Sequence, residues 1–123
     1  MGFGIFVMKV LIVEDEAIVA IMAEMIIEEL GHVVVGPAAD IETALRLISS
    51  EEIDAAILDV NISGERVYPV ALALIEAEIP FAFTTGYGTE GLEERYRKFP
   101  VVAKPYDDDA MQRTLATILD LAA

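Results

Sequence analysis

Short apolar runs of strand length alternate along the chain with longer segments of helical length. Continuous apolar runs of this kind, rich in β-branched residues, predict strands that are buried on both faces. The predicted strands are residues 10–13, 32–35, 56–58, 81–85 and 101–103. The second strand is expected to stop at Gly36-Pro37, because this dipeptide is typical of a turn.

Helices are predicted between the strands. One covers residues 17–30 and ends at Gly31, since glycine tolerates the left-handed conformation that terminates many helices. Asp40 has the side chain of an N-cap for a second helix that runs to about residue 50. Further helices are predicted for residues 70–77, for the polar segment 90–98, and after Asp107, where three consecutive aspartates suit a first turn.

This alternation predicts an α/β fold of five βα units. Parallel strands joined by helical crossovers form one sheet with helices on both faces. Ligands of such sheets bind beyond the carboxyl ends of the strands. Polar residues at those ends are therefore the candidates for a functional site.

Polar residues stand where four of the five apolar runs stop. They are Glu14, Asp15 and Glu16 after the first strand, Asp59 after the third, Thr84 and Thr85 in the fourth, and Lys104 after the fifth. Each group also has an ordinary interpretation, as an acidic helix start, a turn-initiating aspartate, strand threonines or a surface lysine. Negative, positive and hydroxyl groups at one sheet edge are chemically complementary, which favours a functional site. Because strand residues alternate between faces, only one of the two threonines can share a face with Phe81 and Phe83.

Composition narrows the classes of function. The chain has 123 residues, and 22 acidic against 8 basic residues give a net charge of −14. That charge repels nucleic acid and anionic membranes, so neither is expected as a partner. The absence of cysteine excludes thiol chemistry and fits a cytoplasmic location. No apolar run is long enough to span a bilayer, and residues 1–8 are interpreted as an N-terminal extension.

Charge also indicates what the site binds. Carboxylates close together repel one another unless a cation is present, and an all-oxygen set suits Mg²⁺. With a metal ion and Lys104 beside it, Asp59 can attack a phosphoryl group as a carboxylate nucleophile. Lys104 and a threonine hydroxyl can then stabilise the phosphoryl oxygens. The Lys104-Pro105 peptide bond is a candidate for the cis form.

From Lys9 to the C-terminus the chain resembles a two-component response regulator receiver domain. The matching pieces are the segment 9–16, the segment 56–61, Thr85, and Lys104-Pro105-Tyr106, and the ordered set at this spacing is highly specific. The segment 83–88, Phe-Thr-Thr-Gly-Tyr-Gly, is similar to variant receivers with a Phe-Ala-Thr-Gly-x-Tyr signature, although Thr84 replaces the alanine. Such variants are mostly stand-alone or alphaproteobacterial.

The resemblance implies a flavodoxin-like (βα)5 receiver fold over residues 9–123, with sheet order 2-1-3-4-5. Glu14 and Asp15 would help to hold Mg²⁺, and Asp59 would be both a metal ligand and the phosphoacceptor. The backbone carbonyl of Asn61 would complete the protein ligands. The phosphodonor would be a histidine kinase or a histidine phosphotransfer protein.

The resemblance also assigns a switch. Thr85 would be the switch threonine, and Lys104 the lysine that contacts the phosphoryl group. Two departures from the usual pattern bear on this switch: the loop after Asp59 lacks the usual proline, and Val101 replaces an aromatic residue. We hypothesise that Tyr87, together with Thr85, carries the conformational signal. The alternative is that Tyr87 only caps the sheet edge.

The first predicted helix carries apolar residues on more than one face. One stripe must be core, whereas a second should be exposed, and exposed apolar surface often marks a protein interface. Ile18, Ile21 and Met22 are therefore candidates for contacts with the phosphodonor. Burial by neighbouring elements and a homodimer contact are the alternatives. His32 precedes the second strand on the far side of the sheet from Asp59 and is interpreted as a turn residue.

Three classes of function compete. A receiver that accepts phosphate from phosphohistidine and hydrolyses it slowly is favoured, either without an output domain or as a fragment of a hybrid histidine kinase or larger regulator. An aspartyl-phosphate phosphatase would need a second aspartate two positions after Asp59, where Asn61 cannot supply a proton. A flavodoxin-like cofactor binder would need a phosphate loop after the first strand, where three negative charges stand instead.

Overall fold

Five parallel strands form one sheet in the computed structural model, which describes residues 7–86 and 91–122 and side chains as far as residue 118. The strands are β1 (Lys9–Val13), β2 (Val33–Ala38), β3 (Ala55–Asp59), β4 (Phe81–Thr85) and β5 (Val101–Ala103). They pair in the order β2-β1-β3-β4-β5. The predicted 2-1-3-4-5 order is confirmed.

Helices cover both faces of this sheet. They are α1 (Ala17–Glu29), α2 (Ile41–Ser50), α3 (Tyr68–Glu76) and α4 (Asp108–Ala122). Successive residues of β1 point to opposite faces, so Leu11 packs under α2 and α3, whereas Val10 and Ile12 pack under α1 and α4. The apolar runs of the sequence therefore form a sheet with one hydrophobic core on each face.

The predicted helix caps are present. The Asp40 Oδ1 atom accepts a hydrogen bond of 2.7 Å from the Thr43 backbone N–H and so starts α2. Asp107 Oδ1 accepts a bond of 2.7 Å from the Ala110 N–H at the start of α4. Gly31 follows α1 with φ +92°, a conformation that glycine adopts without a steric penalty.

The second strand is longer than predicted and continues through Gly36-Pro37 to Ala38. The pairing changes register between Leu11 and Val13, because β2 contains one extra residue at this point. Gly36 has φ +92°, and a Cβ atom there would lie 2.8 Å from the Ala38 backbone N. Pro37 is tolerated because β2 is an edge strand, whose outer N–H groups have no ladder partner.

The predicted helix over residues 90–98 is wrong for the residues that the structure describes. Residues 91–98 contain no α-helix, and Glu94–Tyr96 form a 3-10 turn. The Tyr96 N–H donates to the Glu93 carbonyl, while the Leu92 carbonyl, its partner in an α-helix, accepts from the Arg97 side chain. Side chains thus take the backbone groups that an α-helix would use.

Aromatic rings hold this turn against α3 and hold the residues after it against β4. The rings of Tyr68 and Tyr96 stack with centroids 4.4 Å apart, and those of Phe81 and Phe99 stack at 4.7 Å. The Tyr68 hydroxyl also accepts a hydrogen bond of 2.8 Å from the Glu93 N–H. The turn after β4 is therefore anchored by packing and by one polar contact.

A short antiparallel hairpin follows β3 and was not predicted. Its two strands are Asn61–Ile62 and Glu65–Arg66. Ser63 and Gly64 between them have φ values of 50° and 80°. Two consecutive residues with positive φ are typical of the tight turns that match the twist of a hairpin.

The amino end of the sheet packs from Met8 onward. Met8 is buried, its N–H donates to His32 Nδ1 at 3.1 Å, and its carbonyl accepts from the Val33 N–H at 2.9 Å. The assignment of residues 1–8 to an extension stays a prediction. Across the described part of the chain, none of the helices has the length and apolar character needed to cross a membrane.

Candidate functional site

The carboxyl ends of β1 and β3 bring four carboxylates together. Oxygen atoms of Glu14, Asp15, Glu16 and Asp59 all lie within 4.8 Å of one another. Three of them, all except the buried Glu14, line a cavity of about 490 Å³. The cavity is lined by Asp15, Glu16, Asp59, Asn61, Gly64, Thr85, Gly86 and Lys104.

Lys104 brings a positive charge into this cluster from the end of β5. Its Nζ atom lies 3.1 Å from Glu14 Oε1, 3.1 Å from Asp59 Oδ2 and 3.8 Å from Glu16 Oε1. The Lys104 N–H donates to the Thr85 carbonyl at 3.1 Å, which fixes the backbone. The Lys104-Pro105 peptide bond is cis, as predicted.

Charge is not balanced in the cluster. Burial raises the pKa of Glu14 to about 7; the Glu16 N–H and Lys104 oppose this rise, and the charge of Asp59 adds to it. Burial alone would lower the pKa of Lys104, but its contacts with Asp59 and Glu14 outweigh burial and raise that pKa. One ammonium group therefore faces more negative charge than it can neutralise.

Asp59 is the last residue of β3 and is buried, with a relative exposure of 6%. Its Oδ1 atom accepts a hydrogen bond of 3.3 Å from the Asn61 N–H, while Oδ2 pairs with Lys104. The contact with the Asn61 N–H places the start of the hairpin beside the cluster. Asn61 lines the same cavity, as the sequence indicated.

The two threonines of β4 lie on opposite faces of the sheet. Thr85 lines the cavity and shares its face with Phe81 and Phe83. Thr84 faces the other side, next to Tyr106. Burial raises the pKa of Tyr106 to about 12, and the neighbouring Thr84 hydroxyl opposes that rise. Thr85 is therefore the threonine that belongs to the site.

The donor set fits a hard divalent cation such as Mg²⁺. All candidate ligands are oxygen atoms, and carboxylates at this spacing need a counter-charge beyond Lys104. The Glu14 Oε1 atom is fully buried and has no well-aligned hydrogen bond in addition to its ion pair. Such an atom is available as a ligand.

The apolar surface of α1 differs in one residue from the prediction. Ile18 and Ile21 are exposed, at 76% and 52%, but Met22 is half-buried against the core under α1 and α4. Met25 is 56% exposed and continues the stripe. The i, i+3, i+7 spacing of Ile18, Ile21 and Met25 in the sequence already indicated that these three residues share one face of the helix.

The resemblance assigned no role to two residues at the cluster, Glu16 and Ser63. Glu16 approaches Lys104, and the Ser63 N–H donates to Asp15 Oδ2 at 2.9 Å. Glu16 was visible in the acidic run after β1, whereas the Ser63-Gly64 dipeptide is only a turn signal. Tyr87, the predicted partner of Thr85 in the switch, lies outside the described residues.

Fold and site together define a class: a doubly wound α/β domain with an acidic cluster and a lysine at the carboxyl edge of its sheet. The chain belongs to the response regulator receiver domain family, whose model matches residues 10–116. Receiver domains are phosphoacceptor modules of two-component signalling. The matched region covers nearly the whole chain.

Solved structures agree with this assignment. SdrG from Sphingomonas melonis Fr1 is 41% identical, covers 92% of this chain and 97% of its own, and superposes with a TM-score of 0.84. A BeF3-activated conformation of SdrG from Pseudomonas melonis Fr1 is 41% identical, covers 90% and 95%, and has a TM-score of 0.81. The response regulator PhyR from Brucella abortus is 26% identical over 94% of this chain and 49% of its own, with a TM-score of 0.80. No curated protein gives a significant match.

Proposed function

We propose that Asp59 accepts a phosphoryl group from a phosphohistidine on a histidine kinase or histidine phosphotransfer protein. The single observation that carries this proposal is the position of Asp59, which lies beside an ammonium group 3.1 Å away at a cavity lined by further carboxylates. Support comes from SdrG, since a protein 41% identical to this chain has a BeF3-activated conformation. Beryllofluoride mimics a phosphoryl group on a carboxylate.

Mg²⁺ is the cofactor in this proposal. The side chains of Glu14, Asp15 and Asp59 and the backbone carbonyl of Asn61 would hold it, with Glu16 at the rim of the cluster. When bound, Mg²⁺ supplies positive charge that offsets the carboxylates and the phosphoryl oxygens. It also lowers the repulsion that Lys104 alone leaves in the cluster.

The transfer itself is a substitution at phosphorus. A carboxylate oxygen of Asp59 forms a bond to phosphorus while the bond from phosphorus to the imidazole nitrogen breaks. The electron pair of the broken bond stays with the imidazole, which takes a proton from solvent. Lys104 stabilises the phosphoryl oxygens electrostatically, and the Thr85 hydroxyl donates a hydrogen bond to one of them.

The phosphorylated state then changes a protein interaction, with Thr85 and Tyr87 as the proposed switch residues. Thr85 lines the cavity beside Asp59, which supports its part of this role. Hydrolysis of the aspartyl phosphate is proposed to be slow, because Asn61 offers no acid or base two residues after Asp59.

Acetyl phosphate tests the proposal directly. With Mg²⁺ present, intact-mass spectrometry should show one added phosphoryl group, and BeF3⁻ should shift the amide signals of residues around the cavity. Chelation of Mg²⁺ by EDTA is expected to abolish both results, because the cluster then repels an anionic donor. An adduct that forms equally well in EDTA would contradict the proposed role of the metal.

The exposed stripe of α1 is proposed as the contact surface for the phosphodonor protein. Ile18→Asp should reduce phosphotransfer from the cognate phosphohistidine protein at least tenfold, because it puts a charge in an apolar interface. Labelling by acetyl phosphate should not change. Ile75→Asp is the matched control, since Ile75 is 44% exposed on α3, on the other face of the sheet. Equal losses in both variants would argue against a specific α1 surface.

A further inference from the structure

Ser63 connects three loops at the carboxyl edge of the sheet. Its N–H donates to Asp15 Oδ2 at 2.9 Å, and its hydroxyl donates to the Ala39 carbonyl at 2.7 Å. Asp15 follows β1, Ala39 follows β2, and Ser63 itself lies in the hairpin after β3. These strands are neighbours in the sheet, so one residue links the three adjacent connections around the acidic cluster.

The local backbone makes these contacts possible. Ser63 has φ 50°, which turns the chain sharply between Asn61–Ile62 and Glu65–Arg66. A proline, the residue usual in this loop of receivers, has no N–H to donate and requires a negative φ. The contact with Asp15 therefore requires a residue other than proline at position 63.

We propose that Ser63 is a positioning residue for the cation site. A backbone N–H bonded to one oxygen of a carboxylate fixes the orientation of that carboxylate. Asp15 Oδ2 is engaged in this way, which leaves Oδ1 for a metal ion. The hydroxyl bond to Ala39 holds the hairpin in place, so that its N–H stays opposite Asp15.

The hairpin also carries Asn61, whose N–H contacts Asp59 Oδ1 at 3.3 Å and whose carbonyl is a proposed ligand. Loss of the tether to Ala39 thus affects two candidate ligands, Asp15 and Asn61, rather than one. Groups that orient metal ligands in this indirect way typically change metal affinity about 10- to 100-fold when removed. The inference rests on the proposed function, because it assumes that the acidic cluster binds Mg²⁺.

Two variants separate positioning from folding. Ser63→Ala and Ser63→Gly both remove the hydroxyl and keep the N–H, and glycine accepts φ 50° without a steric penalty. Ser49→Ala is the control, since the Ser49 hydroxyl donates to the Arg46 carbonyl at 2.9 Å on α2, away from the site. Mg²⁺ binding is measured on the full chain by amide NMR titration without a phosphodonor, together with thermal melting and hydrogen exchange of the residue 63 amide.

We expect both Ser63 variants to bind Mg²⁺ about tenfold more weakly than the wild type. The residue 63 amide should exchange faster, while the melting temperature without Mg²⁺ and the Ser49→Ala affinity stay unchanged. Affinities within twofold of the wild type would overturn the inference, as would a loss that follows a lower melting temperature in both variants. Absence of Mg²⁺ binding by the wild type would instead refute the proposed function, and this inference with it.

Discussion

Asp59→Asn is expected to abolish phosphorylation by acetyl phosphate and by a phosphohistidine partner. An amide has the shape of the carboxylate but lacks the nucleophilic oxygen that must bond to phosphorus. The substitution removes one charge from an overcrowded cluster, and Lys104 keeps its ion pair with Glu14 at 3.1 Å. The fold should therefore survive, so that loss of the adduct reports on chemistry.

Intact-mass spectrometry and BeF3⁻ titration check this result. The control is Asp54→Asn, because Asp54 lies before β3 at the other end of the sheet and accepts a hydrogen bond of 2.8 Å from the Lys9 N–H. That variant should be labelled like the wild type. A stable adduct on Asp59→Asn, mapped by peptide sequencing to Asp15 or Glu14, would show that the phosphoacceptor was assigned to the wrong carboxylate.

Replacement of Lys104 is expected to have the second largest effect. Lys104→Met removes the ammonium group from a side chain that is only 15% exposed and leaves Glu14 and Asp59 without their cation. At low Mg²⁺ the free energy of unfolding should fall by about 2 kcal/mol, less than the ~3–5 kcal/mol for a fully buried pair because the site opens to water. Added Mg²⁺ should restore part of the loss, since binding to the folded state alone stabilises it.

The rate of phosphorylation should fall further than stability. A positioned donor at developing phosphoryl charge is typically worth about 100-fold or more in rate, and Mg²⁺ at saturation does not replace Lys104. Lys9→Met is the matched control, because the Lys9 ion pair with Glu52 at 3.1 Å joins side chains that are 45% and 77% exposed. Denaturant unfolding and phosphorylation time courses measure both effects. A Lys104→Met protein labelled at the wild-type rate would remove Lys104 from the mechanism.

Strand ends were the most predictable part of the site. Asp59 and Lys104 follow apolar runs whose length and order determine a parallel sheet, and the topology of such a sheet brings those ends to one edge. Period two allowed only one of Thr84 and Thr85 to share a face with the strand phenylalanines, and the resemblance to receiver domains selected Thr85. These predictions succeeded because they depend on the backbone pattern and not on the packing of individual side chains.

The predictions that were wrong concern features that depend on tertiary contacts. The segment 91–98 has residues that fit a helix, but the side chains of Arg97 and Tyr68 take its backbone groups. Gly36-Pro37 resembled a turn, yet an edge strand tolerates both residues where the register shifts. Met22 looked equivalent to Ile18 until the packing of α1 against the core was known. Sequence spacing does not reveal such contacts.

The position of Lys104 in the chain has a consequence for biosynthesis. The ribosome synthesises the chain from its amino end, so Glu14 is made 90 residues and Asp59 45 residues before Lys104. If β1 and β3 pair before β5 joins the edge of the sheet, their carboxylates meet without the internal cation. Mg²⁺ bound at the proposed site would then be the counter-charge available to the cluster.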